Sequence, residues 1–319
     1  MSEAPVPLIL DTDIGDDIDD LYALYLALFH PRLQLRAVTT VHGDTQAKAR
    51  LVHKALRMAG RMDIPVGAGI PMSQARLARG QTLPDPWRNA TYLDYVTADD
   101  PEAAMTFPPA RQIITEALTQ SPQPLAIVGI GALSNIAETV MGPSNALRDN
   151  IRCLAIMGGE TSAIHTEYNI LCDPEAAEIV LNCGLPVFMG TFFLTARLSL
   201  SMADVDQHFS ADHPIYRTLR ECTTLWGPGR GHKSGPVLYD LVPVFWLADE
   251  SNVQTRRSTI HVELQGTWTR ALTIRVADDG PVLEAVDLDA PALIQELLHT
   301  LHPAPAAVLP LPSREGTGG

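Results

Sequence analysis

The sequence predicts an α/β protein: a single-domain, open, mostly parallel sheet with a Rossmann-like core, flanked by helices. Three observations carry the prediction. Strand-length apolar runs alternate with amphipathic helical stretches through the first two-thirds of the chain. Several runs, "PLIL" and "PLAIVGI" among them, are apolar throughout, as strands covered on both faces are. One run then ends in a turn crowded with charge, and the carboxyl ends of strands are where open α/β sheets place their ligands.

The elements follow in order. "VPLIL" is the first strand. After an acidic turn, "DDLYALYLALFH" reads as a helix with Leu21, Leu24, Tyr25 and Leu28 on one face. "LQLRAVTTV" is the second strand, and "DTQAKARLVHKALRMAG" the second helix, stopped at Gly60. "DIPVGAG" is a third strand. From Pro71 to Phe107 the chain is rich in Pro, Asp and Gly and reads as a long loop, a length that in compact domains usually serves function. Then come a helix at "ARQIITEALTQ", a strand "PLAIVGI", a helix from "LSNIAETV" and a strand "IRCLAIMGG". A helix "DPEAAEIVLNCG" and a strand "LPVFMG" complete the alternation. Beyond Thr191 the pattern is more helical, with loop signals at "GPGRGHKSGP", a helix over "VLYDLVPVFWLAD", and strands at "STIHVEL" and "RALTIRV". No repeat or linker divides residues 1–302, whereas the Pro- and Gly-rich tail at 303–319 is expected to be disordered.

Bulk properties remove several function classes. With 319 residues, 46% of them hydrophobic, the chain can bury a large core. A net charge of −14 argues against a nucleic-acid backbone as partner, which needs clustered Lys and Arg. No segment reaches the ~18 apolar residues of a membrane span. The N-terminal "MSEAPVPLIL" lacks the basic start and apolar stretch of a signal peptide. Cys153, Cys172, Cys183 and Cys222 show no CxxC spacing, so they are expected as reduced thiols in a cytoplasmic protein.

The acidic turn is the strongest functional signal. Asp11, Asp13, Asp16, Asp17, Asp19 and Asp20 fall within ten residues, between an apolar strand and an apolar helix. Like charges this close resist burial unless a cation sits among them. The plain alternative is a solvated turn with Asp19 capping the helix. All-oxygen donors suit calcium, but an EF-hand does not fit: counting from Asp11, the glycine falls at position five and Tyr22 at position twelve. A strand-end site completed by Asp44, the "GALSN" turn, the "TEYN" segment or Asp240 fits better. Two chemistries could use it. One is phosphoryl transfer through an aspartyl nucleophile on Mg²⁺, whose enzymes usually carry Thr or Val where this chain has "IGD". The other is attack of a metal-activated water on a glycosidic carbon, with a carboxylate taking the proton.

A resemblance decides between them. "DTDIGDDIDD" resembles the N-terminal aspartate signature of the inosine–uridine-preferring nucleoside hydrolases, and "LYALYLALFHPRLQLRAVTTVHGD" is similar to the helix, strand and loop next to that signature. "GALSNIA" resembles that family's "GPLTNIA", while "MGG" at Met157 and "EYNILCDPEAA" resemble its "MGG…EFNxxxDPEAA". The likeness runs from about Pro7 to Leu247, and five fragments in the right order are more specific than any one of them.

The resemblance implies a Ca²⁺-dependent N-ribohydrolase of nucleoside salvage, with one α/β domain in a homodimer or homotetramer. It would make Asp13 both a metal ligand and the base that deprotonates water. Asp20, the main-chain carbonyl of Ser134 and Asp240 would complete the ligands, and Asp19 would hold a ribose hydroxyl. Because this chain is two residues longer in the turn than the shortest family form, Asp17 takes one of these roles if the gap lies elsewhere. Asp44, Glu167 and Asn169 would grip ribose hydroxyls, with Met157 beside them, and Asp11 would be a buried supporting acceptor.

The likeness breaks on the leaving-group side. The family often has His before the last metal-binding Asp, able to protonate the departing base; here that residue is Tyr239. A phenol, of pKa ~10, is a poorer acid near neutrality than an imidazole at ~6.5, so Tyr239 reads first as a pocket-lining residue and second as the acid. His232 in "GRGHKSG" is another possible acid, and Trp87 and Trp226 could stack on a base. The family's "GN" after "MGG" is replaced by "ETSAIH", and a His- and Gly-rich motif near the long loop is absent. The expected activity is therefore hydrolysis of a ribonucleoside, or a related N-riboside, to ribose and free base. The rivals are an aspartyl-nucleophile phosphatase and a riboside-binding relative without catalysis.

Overall fold

The computed structural model describes residues 4–73, 77–80, 92–142, 145–209, 213–230 and 235–302. Its centre is one eight-stranded sheet in the order β3-β2-β1-β4-β5-β6-β8-β7. The strands are β1 (Val6–Thr12), β2 (Leu33–Thr40), β3 (Val66–Ala68), β4 (Leu125–Gly129), β5 (Ile151–Met157), β6 (Val187–Gly190), β7 (Val253–Val262) and β8 (Thr273–Leu288). All neighbours pair in parallel except the β7–β8 hairpin. An open, mostly parallel sheet flanked by helices is thus the fold, as its alternating pattern predicts.

Side chains alternate across β1 as a period of two requires. Leu8 and Leu10 enter one core with Leu21, Leu24 and Phe245. Ile9 enters the other with Ile113, Ile127 and Ile136. All three are fully buried, each contributing about 1.5–3 kcal/mol by leaving water, which explains why a central strand tolerates no polar residue until its last turn.

The helices named here are α1 (Asp19–Phe29), α2 (Thr45–Met58), α3 (Ala110–Gln120), α4 (Ser134–Val140), α5 (Asn145–Asp149), α6 (Tyr168–Cys172) and α7 (Pro174–Leu181). They continue with α8 (Phe192–Thr195), α9 (Met202–His208), α10 (Pro214–Arg230), α11 (Leu241–Ala248) and α12 (Ala290–Leu301). Helix α1 is buried from Asp19 to Leu28, so it is an interior helix rather than one with a wet face. Helix α2 stops before Gly60, which takes φ +70°.

Several expected boundaries differ. The "GPGR" loop signal lies inside α10, whose apolar face is anchored by Leu219, Cys222 and Trp226 in the core. Packing overrides the Gly and Pro preferences there. Helix α11 begins at Leu241, so Tyr239 and Asp240 sit in the turn before it instead of within a helix. Strand β8 runs well past "RALTIRV", and the amphipathic α12 had no sequence assignment. The 303–319 tail lies outside the described residues. The four cysteines are free thiols. No helix among the described residues is long and apolar enough to cross a membrane.

Candidate active site

The carboxyl ends of β1, β4 and β5, with the loops after them, surround a cavity of about 220 Å³. Its wall carries seven carboxylates, Asp13, Asp16, Asp17, Asp19, Asp20, Glu167 and Asp240, together with Ile130, Met157, Tyr168, Asn169, Phe192 and Tyr239.

The β1 turn builds one side. Gly15 takes φ +107°, and a Cβ there would fall 2.6 Å from Leu93, so the turn needs glycine twice over. Gly131 lets the loop after β4 approach: a Cβ on it would lie 2.9 Å from the Asp13 nitrogen. Lys48, reaching from α2, donates to the Asp13 carbonyl at 2.5 Å and to Asp16 Oδ2 at 2.7 Å. The Thr12 hydroxyl donates to Asp20 Oδ1 and accepts from the Ile14 amide at 3.0 Å. Asp11 sits behind the wall, accepting from Thr39 Oγ1 at 2.6 Å and Asn135 Nδ2 at 2.8 Å, where burial pushes its carboxyl up to about 7.

Asp19, Asp20 and Asp240 each present an oxygen, and these lie within 4.8 Å of one another. All three are buried. The Asp240 amide donates to Asp19 Oδ2 at 3.3 Å, and the first turn of α1 favours the Asp19 and Asp20 anions. Burial, then Asp17, pushes Asp19 well above the usual carboxylate range. Burial does the same to Asp20, reinforced by Asp13 and Asp19. Asp240 rises by burial and by Asp19 and Asp20. Burial takes Asp13 up to about 7, against the pull of Lys48 and with the repulsion of Asp16 and Glu167. Desolvated, mutually repelling oxygens are the donor set that a hard divalent cation satisfies. These residues fit such an ion.

The opposite wall comes from the loop after β5. Glu167 caps α6, its carboxylate accepting from the Asn169, Gly159 and Ile170 amides at 2.8, 3.0 and 3.1 Å. Asn169 Nδ2 donates to the Met157 carbonyl at 3.2 Å and the Ile130 carbonyl at 3.3 Å. The "ETSAIH" segment is tied down at both acid and hydroxyl. Buried Glu160 accepts from the Ser162 amide at 2.7 Å and the Phe193 amide at 2.9 Å. The Thr161 hydroxyl donates to Glu284 on β8. Phe192 is consequently fixed beneath two rings, stacked on His165 at 4.4 Å and on Tyr239 at 5.3 Å.

Compared with known proteins, residues 8–295 match the family profile described as inosine-uridine preferring nucleoside hydrolase. The chain belongs to that family. It is 32% identical over 286 residues to the pyrimidine-specific ribonucleoside hydrolase RihA of Enterobacter sp. (strain 638), covering 84% of this chain and 87% of that protein. Against the RihA of Photobacterium profundum it is 30% identical over 280 residues, covering 84% and 88%. The plant nucleoside hydrolase PpNRh1 shares the fold with a TM-score of 0.78 at 24% identity, over 94% of this chain and 99% of that one. A purine-preferring ribonucleoside hydrolase from Gardnerella vaginalis does so with 0.78 at 23%, over 92% and 98%. The chain is an enzyme, a nucleoside hydrolase, and the phosphatase alternative falls away.

In this nucleoside hydrolase, Asp13, Asp17, Asp19, Asp20, Met157, Glu167, Asn169, Tyr239 and Asp240 line one cavity. Asp44 and Trp226 are not among the residues that line it. Asp44 is exposed and caps α2, accepting from the Ala47 amide at 3.0 Å. A short acid before a helix satisfies orphan amides more cheaply than it reaches across a pocket. Ser134, whose main-chain carbonyl is the expected ligand, is buried at the start of α4, its hydroxyl donating to Asp173 Oδ2 at 2.5 Å. Trp226 is a buried residue of α10, packed in the core rather than placed for a base. Trp87 and His232 lie outside the described residues. Asp16, Tyr168 and Phe192 line the cavity without having been assigned a role. Their signal was position alone: Asp16 within the acidic run, Phe192 just past a strand end, Tyr168 between Glu167 and Asn169.

Proposed function

We propose that this enzyme cleaves the N-glycosidic bond of a ribonucleoside or related N-riboside by calcium-dependent attack of water, releasing ribose and free base. The observation that supports it is the buried triad Asp19, Asp20 and Asp240, opening on the same cavity as Asp13, Glu167 and Asn169.

Asp20 and Asp240 would hold the ion, with Asp13 and the Ser134 carbonyl completing the set and Asp19 turned to a ribose hydroxyl. A bound calcium would acidify water and bind vicinal ribose hydroxyls. Asp13 then takes the proton of the attacking water. Held up to about 7 by burial, its carboxyl returns to the ionised, proton-accepting form beside a cation, which suits a base working near neutrality. Glu167 and Asn169 fix the sugar, their own orientation set by the backbone amides and carbonyls that they bond. Oxocarbenium character grows on the ribose as the bond breaks, and a wall of preorganised carboxylates stabilises that charge more than the neutral ground state. Tyr239, stacked on Phe192, forms the leaving-group wall. Salvage of nucleosides in the cytoplasm by a homodimer or homotetramer belongs to the same reading.

Ribose release from a panel of purine and pyrimidine ribonucleosides, with calcium and after chelation, tests the proposal. Chelator-sensitive release supports it. Release that survives chelation would count against the calcium-dependent step.

A further inference from the structure

Tyr168 is where the chain departs by one atom from the motif it resembles, "EYN" standing for "EFN". The added phenolic oxygen has a defined place. Tyr168 lines the cavity with Glu167 and Asn169. Its Oη lies 3.4 Å from His42 Nε2, and the two rings meet edge-on at 89°.

His42 is buried and takes φ +59°, a left-handed conformation uncommon for residues other than glycine. The surroundings enforce it. The His42 amide donates to the Ile70 carbonyl at 2.9 Å, the Gly43 amide donates to the Pro71 carbonyl at 2.8 Å, and Cys172 Sγ lies 3.6 Å from His42 Nε2. Backbone conformations of this kind persist where a site over-determines them, and they gather at ligand clamps. The same loop carries Asp44, whose carboxylate caps α2. What this loop supplies to the cavity is thus a partner for Tyr168 instead of an acid.

We infer that Tyr168, held by His42, is a substrate-contacting residue whose hydroxyl bonds a ribose hydroxyl, replacing the contact expected of Asp44; the inference rests on the riboside reading above. His42 is its positioning residue. A phenol oxygen donates once and accepts twice, so one oxygen can bond His42 and a sugar hydroxyl together. Burial, then Cys172, Asp13 and Asp16, holds this phenol far above its usual range, keeping the hydroxyl neutral and able to donate.

Steady-state kinetics on a hydrolysed ribonucleoside and its 2′-, 3′- and 5′-deoxy analogues tests the inference. Tyr168→Phe keeps the ring that the resembled motif has and should lower kcat/KM about tenfold on the ribonucleoside. It should lose nothing on the one analogue lacking the contacted hydroxyl. His42→Asn, which tolerates left-handed backbone, should show the same substrate pattern, and the double variant should be no worse than the poorer single. Loss of equal size on every substrate would indicate a structural role and overturn the inference, as would a Tyr168→Phe enzyme within about twofold of wild type. Either result leaves the hydrolase reading standing. A wild type that hydrolyses no riboside overturns both.

Discussion

Buried Lys48 pairs with half-buried Asp16 at 2.7 Å beneath the acidic turn, and the same ammonium holds the Asp13 carbonyl. Lys48 is 1% exposed. Burial alone would lower its pKa, but Asp16, Asp13 and Asp20 outweigh that and hold it above its usual range. Lys48→Met leaves the Asp16 carboxylate without this ammonium and the turn untethered. It should destabilise the fold by about 3 kcal/mol in chemical denaturation and weaken calcium affinity in calorimetry. An unchanged denaturation midpoint would show that the pair contributes nothing.

On the proposed reading, proton and metal compete for the same carboxylates. Asp13 stands at about 7 in the folded chain against its ordinary 3.8, so the folded state binds the extra proton between those values. Stability of the chelated protein should therefore rise as pH falls through that window. Asp19, Asp20 and Asp240 shift in the same direction. The gain in Tm on adding calcium should be large near about pH 8 and small near about pH 5. A gain independent of pH would place the ion elsewhere.

Glu284 joins the sheet to the substituted loop. It is buried, accepting from Arg256 at 2.7 and 2.9 Å, from Ser258 at 2.6 Å and from Thr161. Burial pushes its carboxyl up, but these partners outweigh it and leave it below its ordinary 4.5. Its contribution is thus complete above that value and is lost as pH falls through the lower folded one. Glu284→Gln should cost about 1–3 kcal/mol at neutral pH, a difference that shrinks in acid, as thermal unfolding across pH would show.

Tyr239 and Phe192 stack nearly parallel, at 12°. Tyr239→Phe keeps that contact and should leave kcat within about threefold of wild type. Tyr239→Ala removes it and should raise KM. A loss of about a hundredfold in kcat for Tyr239→Phe would instead make the phenol the leaving-group acid.

The legible parts of the sequence were those where local and global requirements agree. An apolar strand, a glycine with no alternative and buried acids at a helix start left Asp13, Asp19 and Asp20 little freedom. Asp44 was read as a sugar contact, whereas in the fold its carboxylate caps α2; capping a helix and gripping a sugar ask the same thing of a short carboxylate. Trp226 was misread because Gly-Pro-Gly signals a loop locally, whereas its side chain answers to a core assembled from distant helices. Tyr168 could not be read at all without His42, a partner 126 residues away.

The most direct test of the account is the initial rate of ribose release by wild type and by Asp13→Asn, each with calcium and after chelation. The account predicts release by the wild type that chelation stops and calcium restores, with Asp13→Asn slower by about 10²–10⁴-fold in a folded, calcium-binding protein. Undiminished release by Asp13→Asn, or release indifferent to chelation, would contradict it.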